Sequence, residues 1–312
     1  MTQPKALGII NEVRKTIIGK DTVVCKTLMA IIAGGHILLE DNPGVGKTTM
    51  ALAFSRAMSM SFSRVQFTPE TMPSDVVGYS VLGRESGKLE YRPGAIMCHL
   101  FLADEINRTS AKTKSALLEA MEEGQVTVDG VSRRLPRPYT VIATQNPFGT
   151  AGTQPLPESQ LDRFMIRLSI GYPTAEQEIG ILRQTEDKRP LESVRAAASL
   201  EEVTAMRGEA ARVHVADDLY KYVADLCTAT REDPALRLGA SPRAGQALVR
   251  ICRASAWMGG RDYVVPADIH LLFQDVMAHR VALEPQARLS GSDAPSVLEG
   301  VLSAVPAPKL LR

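Results

Sequence analysis

Asp41-Asn42-Pro43-Gly44-Val45-Gly46-Lys47-Thr48-Thr49 gathers small residues, one lysine and two hydroxyls in a single short stretch. Small residues let successive backbone N–H groups wrap a phosphate, a lysine reaches the β- and γ-phosphates, and a hydroxyl ligates Mg²⁺. Gly44, Val45, Gly46, Lys47, Thr48 and Thr49 are therefore candidate nucleotide-binding residues, although Asp41 stands where the common GxxxxGK[ST] pattern has its first glycine. A second group follows the apolar run 99–103, which ends in Asp104-Glu105. An acid at such a strand end can hold Mg²⁺ beside the Thr48 hydroxyl. Glu105 is then placed to orient and deprotonate an attacking water. Alone, the acidic pair would read as a strand end meeting solvent; with the loop it reads as a hydrolase site. A third group closes the apolar run 141–144, where the amide of Asn146 can hydrogen-bond both a γ-phosphate and the water. Asn146-Pro147 also suits turn initiation, which is compatible with that role.

These groups need strands that end together and a helix that starts at the phosphate. The run at 36–39 reads as a buried strand before the loop, and a helix beginning near Thr48 would aim its positive dipole end at the anion. Val23, Val24, Thr27, Leu28, Ile31 and Ile32 recur at helical spacing up to Gly34-Gly35. Further strands are expected at 62–67, 99–103 and 139–144. Their alternation with helical stretches implies an α/β domain with a parallel sheet covered on both faces.

After Pro173 the pattern changes. Segments 175–185, 199–213, 217–231, 242–258 and 266–279 read as helices with almost no strand signal between them. The division expected is thus 1–172, the nucleotide-binding domain, and 173–312, a smaller all-α domain. The stretch 289–312, with Gly, Ser and several prolines, reads as a loosely packed tail. Two hairpins are expected in the first domain. One lies within 75–97, with Glu85-Ser86-Gly87 as its turn; the other spans 125–135 around Asp129-Gly130, a strong two-residue turn signal. Arg133, Arg134 and Arg137 give the second hairpin a basic base, suited equally to an acidic partner or to a solvated face.

Composition bounds the rest. At 45% hydrophobic and 23% charged residues, the 312-residue chain is not a mostly disordered one, and with 5% aromatics its core must be aliphatic. A net charge of +1 is not the footprint of a dedicated nucleic-acid binder. No apolar run approaches the ~20 residues of a membrane span, and the N-terminus has no signal-peptide core. No membrane insertion and a cytoplasmic location are expected. Cys25, Cys98, Cys227 and Cys252 form no CxxC pair and read as reduced core thiols.

Taken together, GVGKTT at the loop, LADEINR at 102–108, ATQNP at 143–147 and LPESQLDRF at 156–164 resemble the AAA+ ATPases, and within them the MoxR family. FTPETMPSDVVGY at 67–79 and the stretch 239–244 extend the likeness over nearly the whole chain. The resemblance implies an AAA+ P-loop domain followed by a helical lid, with ATP and Mg²⁺ as cofactors. It assigns Ile18 and Gly19 to the adenine, Asn146 to the sensor of the γ-phosphate, Arg163 to the arginine finger offered to a neighbouring subunit, and Arg243 to the second sensor. The hairpins then correspond to elements directed at a ring pore or a substrate. A homo-oligomeric ring, expected as a hexamer, would remodel a protein client, with a von Willebrand factor A domain protein among the partners implied. Two rivals are a nucleic-acid motor, disfavoured by the near-neutral charge, and a nucleotide-gated scaffold with little turnover, disfavoured by the intact Lys47, Asp104, Glu105 and Asn146. A transcription-activating module is disfavoured by the lack of a GAFTGA-like loop.

Overall fold

The computed structural model describes residues 3–85, 87–146, 155–187 and 190–309. Ser86 of the first hairpin turn and Pro147 lie outside the described residues. Helices α1 (Pro4–Arg14) and α2 (Asp21–Ile32) precede strand β1 (Ile37–Glu40) and helix α3 (Lys47–Ala57). Strand β2 (Phe62–Gln66), helix α4 (Pro73–Val77) and a hairpin of β3 (Gly78–Leu82) and β4 (Leu89–Pro93) come next. They lead to β5 (Leu100–Asp104), α5 (Ala111–Glu123), a second hairpin of β6 (Gln125–Val128) and β7 (Val131–Arg134), β8 (Thr140–Gln145), α6 (Glu158–Leu161) and β9 (Ile166–Leu168).

Five of these strands make one sheet in the order β2-β5-β8-β1-β9, with every neighbouring pair parallel. Successive side chains point to opposite faces. Ile37, Leu39, Leu100 and Leu102 enter one core cluster, whereas Leu38, Phe101 and Ala103 enter the other. That double burial is why these segments are continuous apolar runs rather than alternating ones. The order places β8 between β1 and β5, so the phosphate loop, Asn146 and Asp104-Glu105 emerge side by side at the carboxyl ends. Ligands of open α/β sheets bind at such a crevice.

The second part contains α7 (Ala175–Asp187), α8 (Leu200–Ala211), α9 (Asp217–Glu232), β10 (Leu236–Leu238), α10 (Pro242–Met258), α11 (Pro266–Met277), β11 (Ala282–Leu283), α12 (Pro285–Leu289) and α13 (Ala294–Ala304). All five expected helices are present. An antiparallel ribbon of β10 and β11 joins them; at three and two residues it is too short to leave a period-two signal. The expected loose tail is corrected over 294–304. There α13 buries Leu298 and Val301 against α9 and α11, and the Asp293 carboxylate caps it by accepting the Ser296 N–H at 2.8 Å. Pro295 sits in its first turn, where a missing N–H costs nothing, so the proline read as a breaker is a starter. Among the described residues, no helix is long and apolar enough to cross a membrane.

Candidate active site

Gly44 and Gly46 adopt φ of 85° and 95°, a region that favours glycine, and a side chain at Gly44 would project into open space. Gly46 caps α3 with no side-chain hydrogen bond, leaving the first-turn N–H groups available to an anion. Lys47 Nζ donates to the carbonyls of Asp41 at 2.7 Å and Asn42 at 3.3 Å. Burial pushes its pKa down, against the pull of the Asp41, Asp104 and Glu105 carboxylates. Its hydrogen-bond partners among the described residues are carbonyl oxygens, which leave the charge without a carboxylate at contact there and suit it to a phosphate.

At the end of β5, Asp104 is 8% exposed and both its oxygens are engaged. Oδ1 accepts the Thr144 hydroxyl at 2.5 Å, and Oδ2 accepts Arg64 Nη2 at 2.6 Å and Nε at 3.2 Å. The Thr144 hydroxyl in turn accepts the Glu105 N–H at 2.9 Å, tying β8 to the acidic pair. Glu105 itself has φ 57° and ψ 47°, a left-handed conformation unusual for its type, and its carboxylate accepts Arg108 Nη1 at 2.6 Å. Lys47, Thr48, Arg64, Asp104, Glu105 and Asn146 share a cleft of about 340 Å³. Among the described residues, no cluster of three His, Cys, Asp or Glu could hold a metal unaided. The donor set fits Mg²⁺ brought with phosphates, held by Thr48 and Asp104, because that ion uses few protein ligands and keeps phosphate or water for the rest.

A larger cleft, about 570 Å³, opens on the other side of the loop and shares Gly44 and Gly46 with the first. Its walls include Ile17, Ile18, Val45, Pro173 and Ile181, an apolar lining that fits a nucleoside. Gly19 adjoins it, and its carbonyl accepts Gln177 Nε2 at 3.1 Å, which joins the α1–α2 connection to α7. Ile18, Gly19, Val45 and Thr49 thus lie around one continuous trough with the phosphate loop.

Arg163 and Arg243 are elsewhere. Both line a separate cleft of about 320 Å³ with Gly34, Glu122 and Arg250. Arg163 precedes Met165, whose N–H donates to the His36 carbonyl at the start of β1, whereas the phosphate loop follows the end of that strand. At ~3.3 Å per residue the two ends are about 16 Å apart. Glu122 at the end of α5 holds both cations: one oxygen pairs with Arg243, and the other lies 3.4 Å from Arg163 Nε, without hydrogen-bond geometry. Asp162 pairs with the buried Arg280 rather than with Arg163. Arg280 Nε donates to Asp162 Oδ1 at 2.7 Å and Nη2 to the Phe164 carbonyl at 2.6 Å. The hydroxyl of Ser241, the residue capping α10, also donates to Asp162 at 3.2 Å. One aspartate therefore mounts the Arg163 segment and the start of the Arg243 helix together.

The hairpins form as expected, and Asp129 (φ 52°) and Gly130 (φ 75°) make the tight turn. Arg133 lies over the Tyr91 ring, 4.0 Å from its centroid, and its Nη1 donates to the carbonyls of Val128 and Val131. It holds the two hairpins together, while Arg134 and Arg137 are exposed. Sequence reasoning read Asp162 only as a possible helix-end partner of Arg163, which the pairing with Arg280 corrects, and did not find Arg64, Arg108, Glu122 or Arg280. Each is far along the chain from its partner or in an unremarkable helix turn, and only the charge of the residue could have flagged it.

Comparison with known proteins agrees with this geometry. Residues 36–166 match the ATPase family associated with various cellular activities (AAA), and residues 228–300 match the AAA lid domain. The chain is 43% identical to the uncharacterized protein YeaC of Bacillus subtilis, over 96% of this chain and 93% of that one. It is 36% identical to chaperone MoxR1 of Mycobacterium tuberculosis, over 96% of this chain and 82% of that one. A crystal structure from Cytophaga hutchinsonii superposes with a TM-score of 0.91 at 36% identity, covering 98% of this chain and 95% of the other. A trough for a nucleotide at the carboxyl ends of a parallel sheet, a helical lid and these relatives lead to one family: the chain belongs to the MoxR family of AAA+ ATPases.

Proposed function

We propose that the protein hydrolyses ATP with Mg²⁺ at composite sites between neighbouring copies in a ring, a hexamer, and uses the cycle to remodel a protein client in the cytoplasm. The observation that carries this reading is the separation of the cations. Lys47, Thr48, Asp104, Glu105 and Asn146 share one cleft, whereas Arg163 and Arg243 share another across the sheet. A chain whose transition-state cations point away from its own nucleotide trough needs a second chain to complete the site. The chaperone designation of a 36% identical relative supports a protein client; a von Willebrand factor A domain protein is the partner we propose, and nucleic acid is not.

In this mechanism Lys47 and the first-turn amides of α3 bind the phosphates. Mg²⁺, when bound, neutralises charge on those phosphates, with Thr48 and Asp104 as its protein ligands. Arg64 must release the Asp104 carboxylate for that. Glu105 accepts the proton of the attacking water, for which its pairing with Arg108 must open, and Asn146 orients the water. Arg163 and Arg243 leave Glu122 for the neighbour's phosphates, adding cationic stabilisation where charge develops.

Mixing tests the composite site. Lys47→Ala and Arg163→Ala should each turn over poorly, the latter by up to ~10³-fold if the finger behaves as in GTPases. Rings that exchange subunits between the two should regain activity at interfaces pairing an intact loop with an intact finger. Arg163→Ala with near-normal turnover, and mixed rings with none restored, would make Arg163 a structural charge.

A further inference from the structure

Asp41 is the departure from the common phosphate-loop pattern, and its position explains what the departure does. Its backbone has no positive φ, so nothing there requires glycine. Its side chain is 6% exposed and turns away from the phosphate trough toward the end of β9. The carboxylate accepts three hydrogen bonds: from the Ser169 hydroxyl at 2.7 Å, the Ile170 N–H at 2.6 Å and the Gly171 N–H at 3.0 Å. Residues 169–171 lie in the connection between β9 and α7, and Gly171 and Pro173 are walls of the nucleoside cleft. On its other side, the Asp41 carbonyl accepts Lys47 Nζ. Asp41 thus touches the phosphate lysine through its backbone and the nucleoside wall through its side chain.

We infer that Asp41 is a positioning residue that fixes the phosphate loop against the nucleoside wall at the domain junction, so that a ligand must fill both halves of the trough to gain full affinity. The inference rests on the ATP-site reading above. A carboxylate suits the task better than any isostere, because all three of its partners are donors and charge-assisted bonds are the stronger kind. An asparagine would turn an NH₂ group against one of those donors. A glycine would restore the common loop pattern and remove the link altogether.

The test compares ATP with inorganic tripolyphosphate, each with Mg²⁺, by titration calorimetry on the full chain. Tripolyphosphate occupies only the loop, so the two probes separate loop binding from loop-to-wall alignment. For Asp41→Gly the expected result is an ATP Kd raised about tenfold with the tripolyphosphate Kd changed less than about twofold. Asp41→Asn should show the same selective loss. Equal weakening of both ligands, or no loss for ATP in a folded variant, overturns the inference. Should both variants fail to fold, Ser169→Ala removes one donor only. Its expected result is a selective ATP loss of about two- to threefold, and an unchanged ratio of the two Kd values overturns the inference. Wild type and Lys47→Ala set the frame: wild type that binds neither ligand defeats the ATP-site reading itself, whereas normal wild-type binding with no selectivity change in the variants defeats only the role of Asp41.

Discussion

Glu105 concentrates a conflict between backbone and chemistry. Its left-handed conformation costs about 1–2 kcal/mol for a residue with a Cβ, yet the carboxylate is the water-activating group of the proposed mechanism. Replacing it separates the two. Glu105→Gly should melt at equal or higher temperature, gaining up to about 1 kcal/mol, while turnover falls by about 10²–10⁴-fold. Glu105→Gln should keep ATP bound without hydrolysing it, and Lys47→Ala should lose binding. Equilibrium binding of a labelled ATP analogue checks the pair, and equal affinity losses would remove Glu105 from its assigned role. The identities of these residues were legible because the chemistry restricts them to few types at short spacing. The strain was not, since no turn rule places Glu at positive φ. The Arg64–Asp104 pair was not legible either, because its members stand on separate strands and meet only through sheet order.

At the scale of elements, burial decides what could be read. The strands β1, β5 and β8 are covered on both faces and leave continuous apolar runs, so their positions follow from sequence within one or two residues. The ribbon of β10 and β11 and the helix α13 escaped for opposite reasons. One is too short to carry a period, and the other hides its start behind a proline and a serine-rich approach. The second hairpin was visible because Asp129-Gly130 supplies the two positive φ angles that a type I′ turn demands. Its turn residues are exposed, and neither Asp129 nor Arg134 lines the cleft around Lys47. Asp129→Asn with Arg134→Ala should leave basal ATPase within about twofold, while retention of client proteins by an ATP-trapped Glu105→Gln ring falls. Loss of basal ATPase in an assembled, folded variant would contradict that division. Arg133 is the wrong probe for this purpose, because its stacking on Tyr91 holds both hairpins in place.

For the molecule as a whole, the Arg163 segment rests on buried charge, and this makes stability sensitive to acid. His279 is 3% exposed, with Nε2 against the Phe164 carbonyl at 2.9 Å. Burial, and then the adjacent Arg280, hold its pKa well below the usual value of ~6.5. Below that pH the unfolded chain binds a proton that the folded chain refuses, so stability falls as pH drops and recovers as it rises. The slope should reach at most about 1.4 kcal/mol per pH unit for this group. His279→Gln keeps a donor for Phe164 and removes the titration, so its melting temperature should decline less than that of wild type between about pH 6.5 and about pH 5. Identical slopes would place the acid sensitivity elsewhere. None of this could be read from the chain, where His279 and Phe164 are separated by more than a hundred positions and share no pattern.

Asp162 is bonded at once to Arg280 and to Ser241, so a swing of the start of α10 either carries the Arg163 segment along or breaks the Ser241 bond. In the proposed ring this makes the two neighbours of any protomer unequal. The lid angle adopted over one nucleotide would bias the next centre in one rotational sense, and ligand binding at that centre would act back on the lid through the same contact. Firing order around such an assembly would have a handedness that no isolated subunit possesses.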